Sequence, residues 1–384
     1  MVAGHICLDL TPALACGLTD VMAPGRLIQV GSAAVHTGGA VANTGLAMRV
    51  LGADVRLAGK IGCDRFGQIV KNICAQYGSE DGLLEDPAVA TSYTVVLAIP
   101  GVDRIFLHHP GANDAFYSDD IPDRCFADVS HFHFGYPPLM RSMYEGGGAE
   151  LLKLFHRVKG MGLTTSLDMA DVDPKSPAGQ VDWHRLLGDV LPLTDFFLPS
   201  VEELCYTLDP ARHKAWKERA KGGDATACLS MEEDVRPLAE AALSMGAKAV
   251  LVKCGALGMY YQTAGGPGMT ALCAALDLAP GEWVDQRGYE GSFRPERIVS
   301  ATGAGDVSIA AFLTGMLRGW GLRECVTLAA AAGARCLTSY DAISALEPLE
   351  ALWQRIRDGW PRSGETGGRQ GALPPGPPLR GHVP

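Results

Sequence analysis

The 384-residue chain reads as an α/β protein built round a mostly parallel sheet. Three observations predict it. Strand-like and helix-like segments alternate from the first residues, the βαβα rhythm that generates parallel sheets. Four short apolar runs, at 129–134, 163–167, 195–198 and 249–252, have the near-continuous hydrophobicity of strands covered on both faces. The stretches between them, including 149–158 and 235–245, carry helical patterns.

Taken in order, residues 2–8 form a short apolar run ending on Asp9, which predicts a buried strand with a carboxylate at its end. Residues 11–37 are irregular and punctuated by Gly and Pro. Gly38-Gly39 then precede a tightly packed helix over 40–51, with Gly52 as its C′ stop. A strand at 55–58 and a helix over 64–77 continue the alternation. Residues 91–99 alternate β-branched and apolar side chains, Pro100-Gly101 turn the chain, and 104–109 resume as a strand. A β-hairpin thus interrupts the α/β rhythm. The polar stretch 211–230 reads as an insertion and the Gly/Pro-rich stretch 263–281 as a loop. After Gly303 two Ala-rich helical segments run to about Thr338. Residues 361–384 hold many Gly and Pro with little apolar content, the composition of a disordered tail.

Charge and cysteine usage narrow the function. Lys and Arg number 33 against 43 Asp and Glu, a net charge of −10, and no Lys/Arg-rich run could neutralise a line of phosphates. A nucleic-acid partner is therefore not expected. The 11 cysteines never come closer than nine positions, so the C-x-x-C spacing of zinc and redox sites is absent and they read as reduced core thiols. With no basic region ahead of an apolar stretch and no long apolar run, a cytoplasmic protein without a membrane partner is expected. His131-Phe132-His133 put two imidazoles on one side of a strand, but without a third ligand in view they read as a structural pair. Trp183, Trp283, Trp320, Trp353 and Trp360 read as core packing.

The strongest chemical signal is Ser300-Ala301-Thr302-Gly303-Ala304-Gly305-Asp306, set ahead of a helical run over 307–318. Small residues at 303–305 let the backbone turn tightly and aim successive N–H groups outward at a helix N-terminus, where the helix dipole also favours anions. Asp306 stands in the first turn beside this cradle. It could take a proton from a hydroxyl while the cradle holds the charge of a transferring phosphoryl group.

This segment resembles the C-terminal signature of the ribokinase-like, or PfkB, family of carbohydrate kinases. Gly38-Gly39-Ala40-Val41-Ala42-Asn43, with Gly62-Cys63-Asp64-Arg65-Phe66-Gly67 downstream, is similar to the family's N-terminal signature. Pro199-Ser200-Val201-Glu202-Glu203 resembles its N-x-x-E box, and Lys253-Cys254-Gly255-Ala256-Leu257-Gly258 its strand-to-loop nucleotide motif. The four motifs stand in the family's order and cover roughly residues 2–345. The resemblance implies a three-layer α/β/α kinase domain over 1–360 with a mostly parallel central sheet. It also implies a small β-sheet lid from segments about 11–37 and 91–110, through which relatives often dimerise.

The resemblance further implies an ATP-dependent phosphotransferase acting on a sugar or sugar acid. Asp306 matches the general base, and Gly303, Ala304 and Gly305 the anion hole. Asp9, Gly38, Gly39 and Asn43 match sugar-binding positions, and Arg104, Asn113 and Asp168 are further candidates for the acceptor. Lys253, Gly255 and Gly258 match the approach to the ATP phosphates, and Glu203 the residue that organises Mg²⁺ through water. Three positions depart from the pattern. Ser300 and Ala301 stand where Asp and Thr are usual, so the carboxylate that helps build the K⁺ site of K⁺-activated relatives is missing. Ser200 replaces the box Asn. The lid has few cations, which favours an unphosphorylated sugar or sugar acid, and Ala40 replaces the Lys of ribokinase-type members, so ribose itself is not singled out. A nucleoside kinase would show an aromatic residue of the lid, Phe106 or Tyr93, stacked on a base. A non-catalytic sugar or nucleotide sensor would have lost Asp306 or the glycine cradle, and both are present.

Overall fold

The computed structural model of the chain describes residues 1–21, 24–99 and 105–363. Its strands are β1 (Val2–Gly4), β2 (Cys7–Pro12), β3 (Ala33–Gly38), β4 (Leu57–Gly62), β5 (Leu83–Asp86), β6 (Tyr93–Leu97) and β7 (Ile105–His109), followed by β8 (His131–Gly135), β9 (Thr164–Asp168), β10 (Phe196–Phe197), β11 (Ala249–Lys253), β12 (Gly258–Thr263) and β13 (Arg287–Gly291). Nine form one sheet in the order β13-β12-β11-β10-β9-β8-β1-β4-β5, and four form a second in the order β3-β2-β6-β7. From β11 to β5 every neighbouring pair is parallel, and only β12 runs the other way, pairing antiparallel with both β11 and β13.

The apolar runs become strands because they are covered on both sides. Successive residues of a strand face opposite ways, so Phe196 and Leu251 enter one core with Leu46, Val307 and Phe312, while Phe197, Val250 and Val252 enter the other with Phe132, Phe134 and Leu154. On the first face lie the helices Ala40–Val50, Ala304–Leu317 and Leu322–Cys336, rich in Ala and Gly and almost fully buried. Small side chains let these helices approach one another and the sheet closely. The helix Arg141–Gly160, broken by non-helical residues at 145–148, belongs to the second face. The five tryptophans predicted to pack are all buried.

Two elements differ from the sequence reading. Residues 2–8 do not form one strand but two, in different sheets, broken at His5-Ile6. Gly4 has φ +121°, and a Cβ there would lie 2.0 Å from the Gly135 carbonyl oxygen, so the chain turns out of the large sheet at a point only glycine tolerates. Asp9 consequently sits in the middle of a small-sheet strand. The stretch 263–281 is not an open loop: Pro267 opens the helix Pro267–Ala275, which buries Met269, Leu272 and Cys273 at helical spacing. The hairpin turn Pro100-Gly101 and residues 364–384 of the tail lie outside the described residues. No helix among the described residues is long and apolar enough to cross a membrane.

Beneath the sheet's first face runs a buried polar row. His131 Nδ1 lies 2.8 Å from Thr164 Oγ1 and its Nε2 2.8 Å from Ser166 Oγ, which in turn lies 2.8 Å from His133 Nδ1. Burial lowers His131 to about 3, with the amino terminus and Lys159 adding to it, and lowers His5 to about 3, with His108 adding to it. Burial, then His131, holds His133 well below the usual range. All three imidazoles are therefore neutral in the folded chain, while the unfolded chain protonates them below about pH 6.5. Stability should consequently be unaffected by these groups above that pH. It should fall on acidification by about 1.4 kcal/mol per pH unit for each group. Urea midpoints compared at pH 7 and pH 5 measure the loss, and His131→Gln should shrink it; an equal loss in the variant would contradict the assignment.

Candidate active site

The carboxyl ends of the parallel strands bring together residues that are far apart in sequence. Asp168 ends β9, Lys253 ends β11, and Tyr136 follows β8 directly. Glu203 stands in the first turn of the helix Val201–Leu208, and Asp306 in the first turn of the helix Ala304–Leu317. Helix Ala40–Val50 contributes Asn43 and Thr44 from its first two turns. This edge, where parallel strands end and helices begin, is where open α/β sheets bind ligands.

Asp306 is only 4% exposed and is held from three directions. Asn43 Nδ2 donates to its Oδ2 at 2.9 Å, Thr44 Oγ1 donates to Oδ1 at 3.3 Å, and the Tyr136 hydroxyl also donates to Oδ1. Burial raises its pKa; the donors Tyr136, Asn43 and Thr44, with Lys253, pull the other way. Lys253 Nζ donates to Asp168 Oδ1 at 2.7 Å. Burial works against the Lys253 charge, but Asp168, Glu203 and Asp306 outweigh it and keep the ammonium protonated. Burial also pushes Asp168 up to about 8, Lys253 opposing and the carboxylates of Glu203 and Asp306 reinforcing it. One cation thus faces three acidic side chains.

Gly303 has φ +76°, and a Cβ there would meet the Ala342 Cβ at 2.4 Å. At Gly305 an added Cβ would come into ordinary contact with the Lys253 side chain, 3.5 Å from its Nζ, so the helix start faces the ammonium directly. The Ala304 N–H donates to the Ala301 carbonyl at 3.3 Å; the rest of the helix start and the neighbouring cation give that space a positive character that suits an anion.

The inner face of the small sheet closes the other side. Cross-strand pairing aligns His36, Asp9, Thr94 and His108 in one row. Asp9, Thr11, His36 and Asn43 line a cleft of about 340 Å³ whose opposite wall is residues 298–302 and 340–342. Burial raises the Asp9 pKa, against the hydrogen bonds of Cys7 and Thr94. Gly38 faces Asp9 across the sheet so closely that a Cβ would lie 2.3 Å from Asp9 Oδ2, and one at Gly39 would lie 2.5 Å from His5 Nδ1.

The structure therefore brings together Asp306, Gly303, Ala304, Gly305, Asn43, Asp168, Lys253 and Glu203, with Asp9, Gly38 and Gly39 beside them. Asn113 stands apart from the cleft. Its Oδ1 accepts from the Ile6 N–H at 3.1 Å and its Nδ2 donates to the Ile6 carbonyl at 2.9 Å. Its amide is spent pinning the point where the chain leaves the large sheet. Asp168 is drawn to Lys253 rather than turned toward the cleft. Gly258 serves sheet closure, since a Cβ there would strike the Glu290 carbonyl oxygen at 2.1 Å; Gly255 keeps φ +56° in the turn before it. Ser200 and Glu203 form a reciprocal capping box, Ser200 N donating to Glu203 Oε2 at 2.6 Å and Glu203 N to Ser200 Oγ at 3.2 Å. Serine at 200 thus holds the glutamate at the helix start. Arg104 lies outside the described residues. Tyr136 and Thr44 were not legible as site residues: neither belongs to a Gly-rich motif, and only the three-dimensional packing brings them to Asp306.

With this geometry in place, comparison with known proteins is informative. The pattern of the pfkB family carbohydrate kinases matches residues 2–349, and the chain belongs to that family. It is a carbohydrate kinase, an enzyme that moves a phosphoryl group from ATP to a sugar. An uncharacterized sugar kinase of Archaeoglobus fulgidus is 24% identical over 297 residues, covering 76% of this chain and 94% of the relative. A probable fructokinase-4 of Arabidopsis thaliana is 25% identical over 368 residues, covering 93% and 95%. The crystal structure of a putative ribokinase II from E. coli in complex with ATP and Mg²⁺ superposes with a TM-score of 0.66 at 20% identity, covering 93% of this chain and 98% of that one. The two-sheet α/β architecture is the ribokinase-like fold.

The Lys253–Asp168 pair gives a direct test of the site's electrostatics. Lys253→Met leaves the buried Asp168 carboxyl without its partner and should lower stability by about 1–3 kcal/mol, whereas adding Asp168→Leu should recover most of the loss. Chemical denaturation of the single and double variants measures both; a double variant no more stable than the single one would show that the two groups are not each other's main partner.

Proposed function

We propose that this kinase phosphorylates a hydroxyl of an unphosphorylated sugar or sugar acid with Mg-ATP, using Asp306 as general base and the backbone of 303–305 as anion hole. The observation that carries the reading is the position of Asp306. A buried carboxylate with a raised pKa stands between the hydroxyl-lined cleft and an open glycine cradle at its own helix N-terminus. The acceptor proton passes to Asp306, the freed oxygen forms a bond to the γ-phosphorus, and the bond from that phosphorus to the ADP oxygen breaks. The N–H groups of the cradle and Lys253 stabilise charge on the transferring group. Asp9 and Asn43 suit a polyol, offering a carboxylate and an amide to adjacent hydroxyls.

Mg²⁺, when bound with ATP, neutralises the phosphate oxygens. Among the described residues no three His, Cys, Asp or Glu side chains are grouped closely enough to hold a metal by themselves. That suits an ion that keeps its waters and takes one or two carboxylates together with phosphate. Glu203 is the residue that would hold it, through water. Ser300 in place of a carboxylate supports activity without a strong K⁺ requirement.

Among the described residues the cleft lining contains no Lys or Arg, which supports an acceptor without a phosphate. One observation favours a nucleoside as a second reading. Phe106 is 53% exposed and pairs across the small sheet with Val96, which lines the cleft, so its ring stands on the cleft side. Tyr93 instead packs against Phe66 on the outer face. ADP release with Mg-ATP, measured against pentoses, hexoses, sugar acids, sugar phosphates and nucleosides with and without K⁺, separates these readings. Asp306→Asn should lower turnover on the responding acceptor by about 10²–10⁴-fold while leaving acceptor binding in place; unchanged turnover would remove Asp306 from the role of base.

A homodimer through the small sheet, which acts as the lid over a domain spanning 1–360, completes the proposal. Val35, Leu10, Val95 and Leu107 form an apolar row on its outer face, with Val35 and Leu107 exposed. Leu107→Glu should convert a dimer to a monomer in sedimentation analysis; a monomeric parent protein would rule the interface out.

A further inference from the structure

We infer that Tyr136 positions the catalytic base: with Thr44 it fills the acceptor sites of Asp306 Oδ1, so that the acceptor's proton is received on Oδ2. The inference rests on the reading of Asp306 as base, and it comes from counting lone pairs. An ionised carboxylate offers about four acceptor sites, two on each oxygen. Among the described residues the Tyr136 hydroxyl and Thr44 Oγ1 donate to Oδ1, the Thr44 hydroxyl lying closer to it at 3.3 Å than to the Asp306 carbonyl at 3.5 Å, whereas Oδ2 receives Asn43 Nδ2 alone. One site therefore remains open, and it is on the oxygen beside Asn43, a residue of the cleft wall.

Tyr136 is built to hold this place. Pro137 and Pro138 follow it and restrict the backbone in a short 3₁₀ turn at the end of β8. The His5 ring packs at 5.9 Å from its ring, and Gly39, where a Cβ would strike His5, keeps that imidazole close. A phenol donates one proton. Given to Oδ1, it leaves the hydroxyl oxygen free to accept from the acceptor molecule, so Tyr136 fixes both the carboxylate's orientation and the side from which a hydroxyl can approach.

The groups facing Asp306 are Asn43 and Thr44 from one helix, Tyr136 from the end of β8, Asp168 from β9, Glu203, Lys253 from β11, and Cys336. Asp168 and Glu203 are common to every variant below, so a change on removing one donor reports that donor. Because a hydrogen bond to the ionised form favours it, losing Tyr136's donor should raise the Asp306 pKa further.

The test uses Tyr136→Phe in the full chain, with two readouts. Titration of Asp306 by carbon NMR of aspartate-labelled protein, its signal identified by its loss in Asp306→Asn, should move to higher pH in Tyr136→Phe and also in Thr44→Val. With the responding acceptor, the acidic limb of kcat/KM should move the same way, kcat/KM should fall about tenfold, and KM for ATP should not change. A Tyr136→Phe protein with unshifted titration overturns the inference. If that variant fails to fold, Thr44→Val decides, and an unshifted titration there overturns it equally. A shifted titration in a protein that phosphorylates no acceptor supports the placement of Tyr136 and removes the kinase role of Asp306, which keeps the two failures apart.

Discussion

The site is organised round a single buried ammonium. Asp168, Glu203 and Asp306 converge because three parallel strands and two helices begin or end on the same edge of the sheet, and such a concentration of acid groups repels itself in a low-dielectric interior. Lys253 makes the arrangement tolerable. Its stem is carried by β11, an interior strand of the large sheet, so its place is set by the sheet register. In the proposed reaction the same residue that settles the acid cluster at rest would also face the transferring phosphoryl group. On that proposal stability and catalysis would draw on one charge, the one that Asp168 holds at 2.7 Å.

Much of this was legible in the sequence, for definable reasons. Helix Ala304–Leu317 and its glycine turn were visible because small residues, a positive-φ position and a first-turn acid must occur contiguously. The parallel strands were visible because two-sided burial leaves an apolar run. What escaped was whatever depends on a distant partner. Nothing local reveals that residues 2–8 split between two sheets; the break is imposed by the Gly135 backbone pressing on Gly4 and by Asn113 reaching over more than a hundred positions to Ile6. Asn113 read as a polar residue near the lid, and polar residues near a lid suggest a ligand, but its partner is the backbone. The helix Pro267–Ala275 was hidden by flanking Gly and Pro, which punctuate its ends rather than interrupt it. Tyr136 carried no motif at all.

The pattern of the small sheet shows how one alternation serves two purposes. Odd and even positions of β2, β3, β6 and β7 separate a row of imidazole, carboxylate and hydroxyl groups from a row of aliphatic ones. A one-residue slip in register would exchange the two rows and present aliphatic side chains to a polyol. The apolar outer row therefore protects the register of the polar inner row, independently of anything it might dock against.

The crossing from β1 to β2 has a mechanical consequence. Only His5 and Ile6 separate a central strand of the large sheet from the strand that bears Asp9, and β3 returns through Gly38-Gly39 straight into the helix that bears Asn43. Two of the small sheet's four connections are thus short and end within the site; the other two join β5 to β6 and lead on from His109. If the small sheet is the lid proposed above, any displacement of it would carry Asp9 and Gly38 along and reshape the cleft in the same movement.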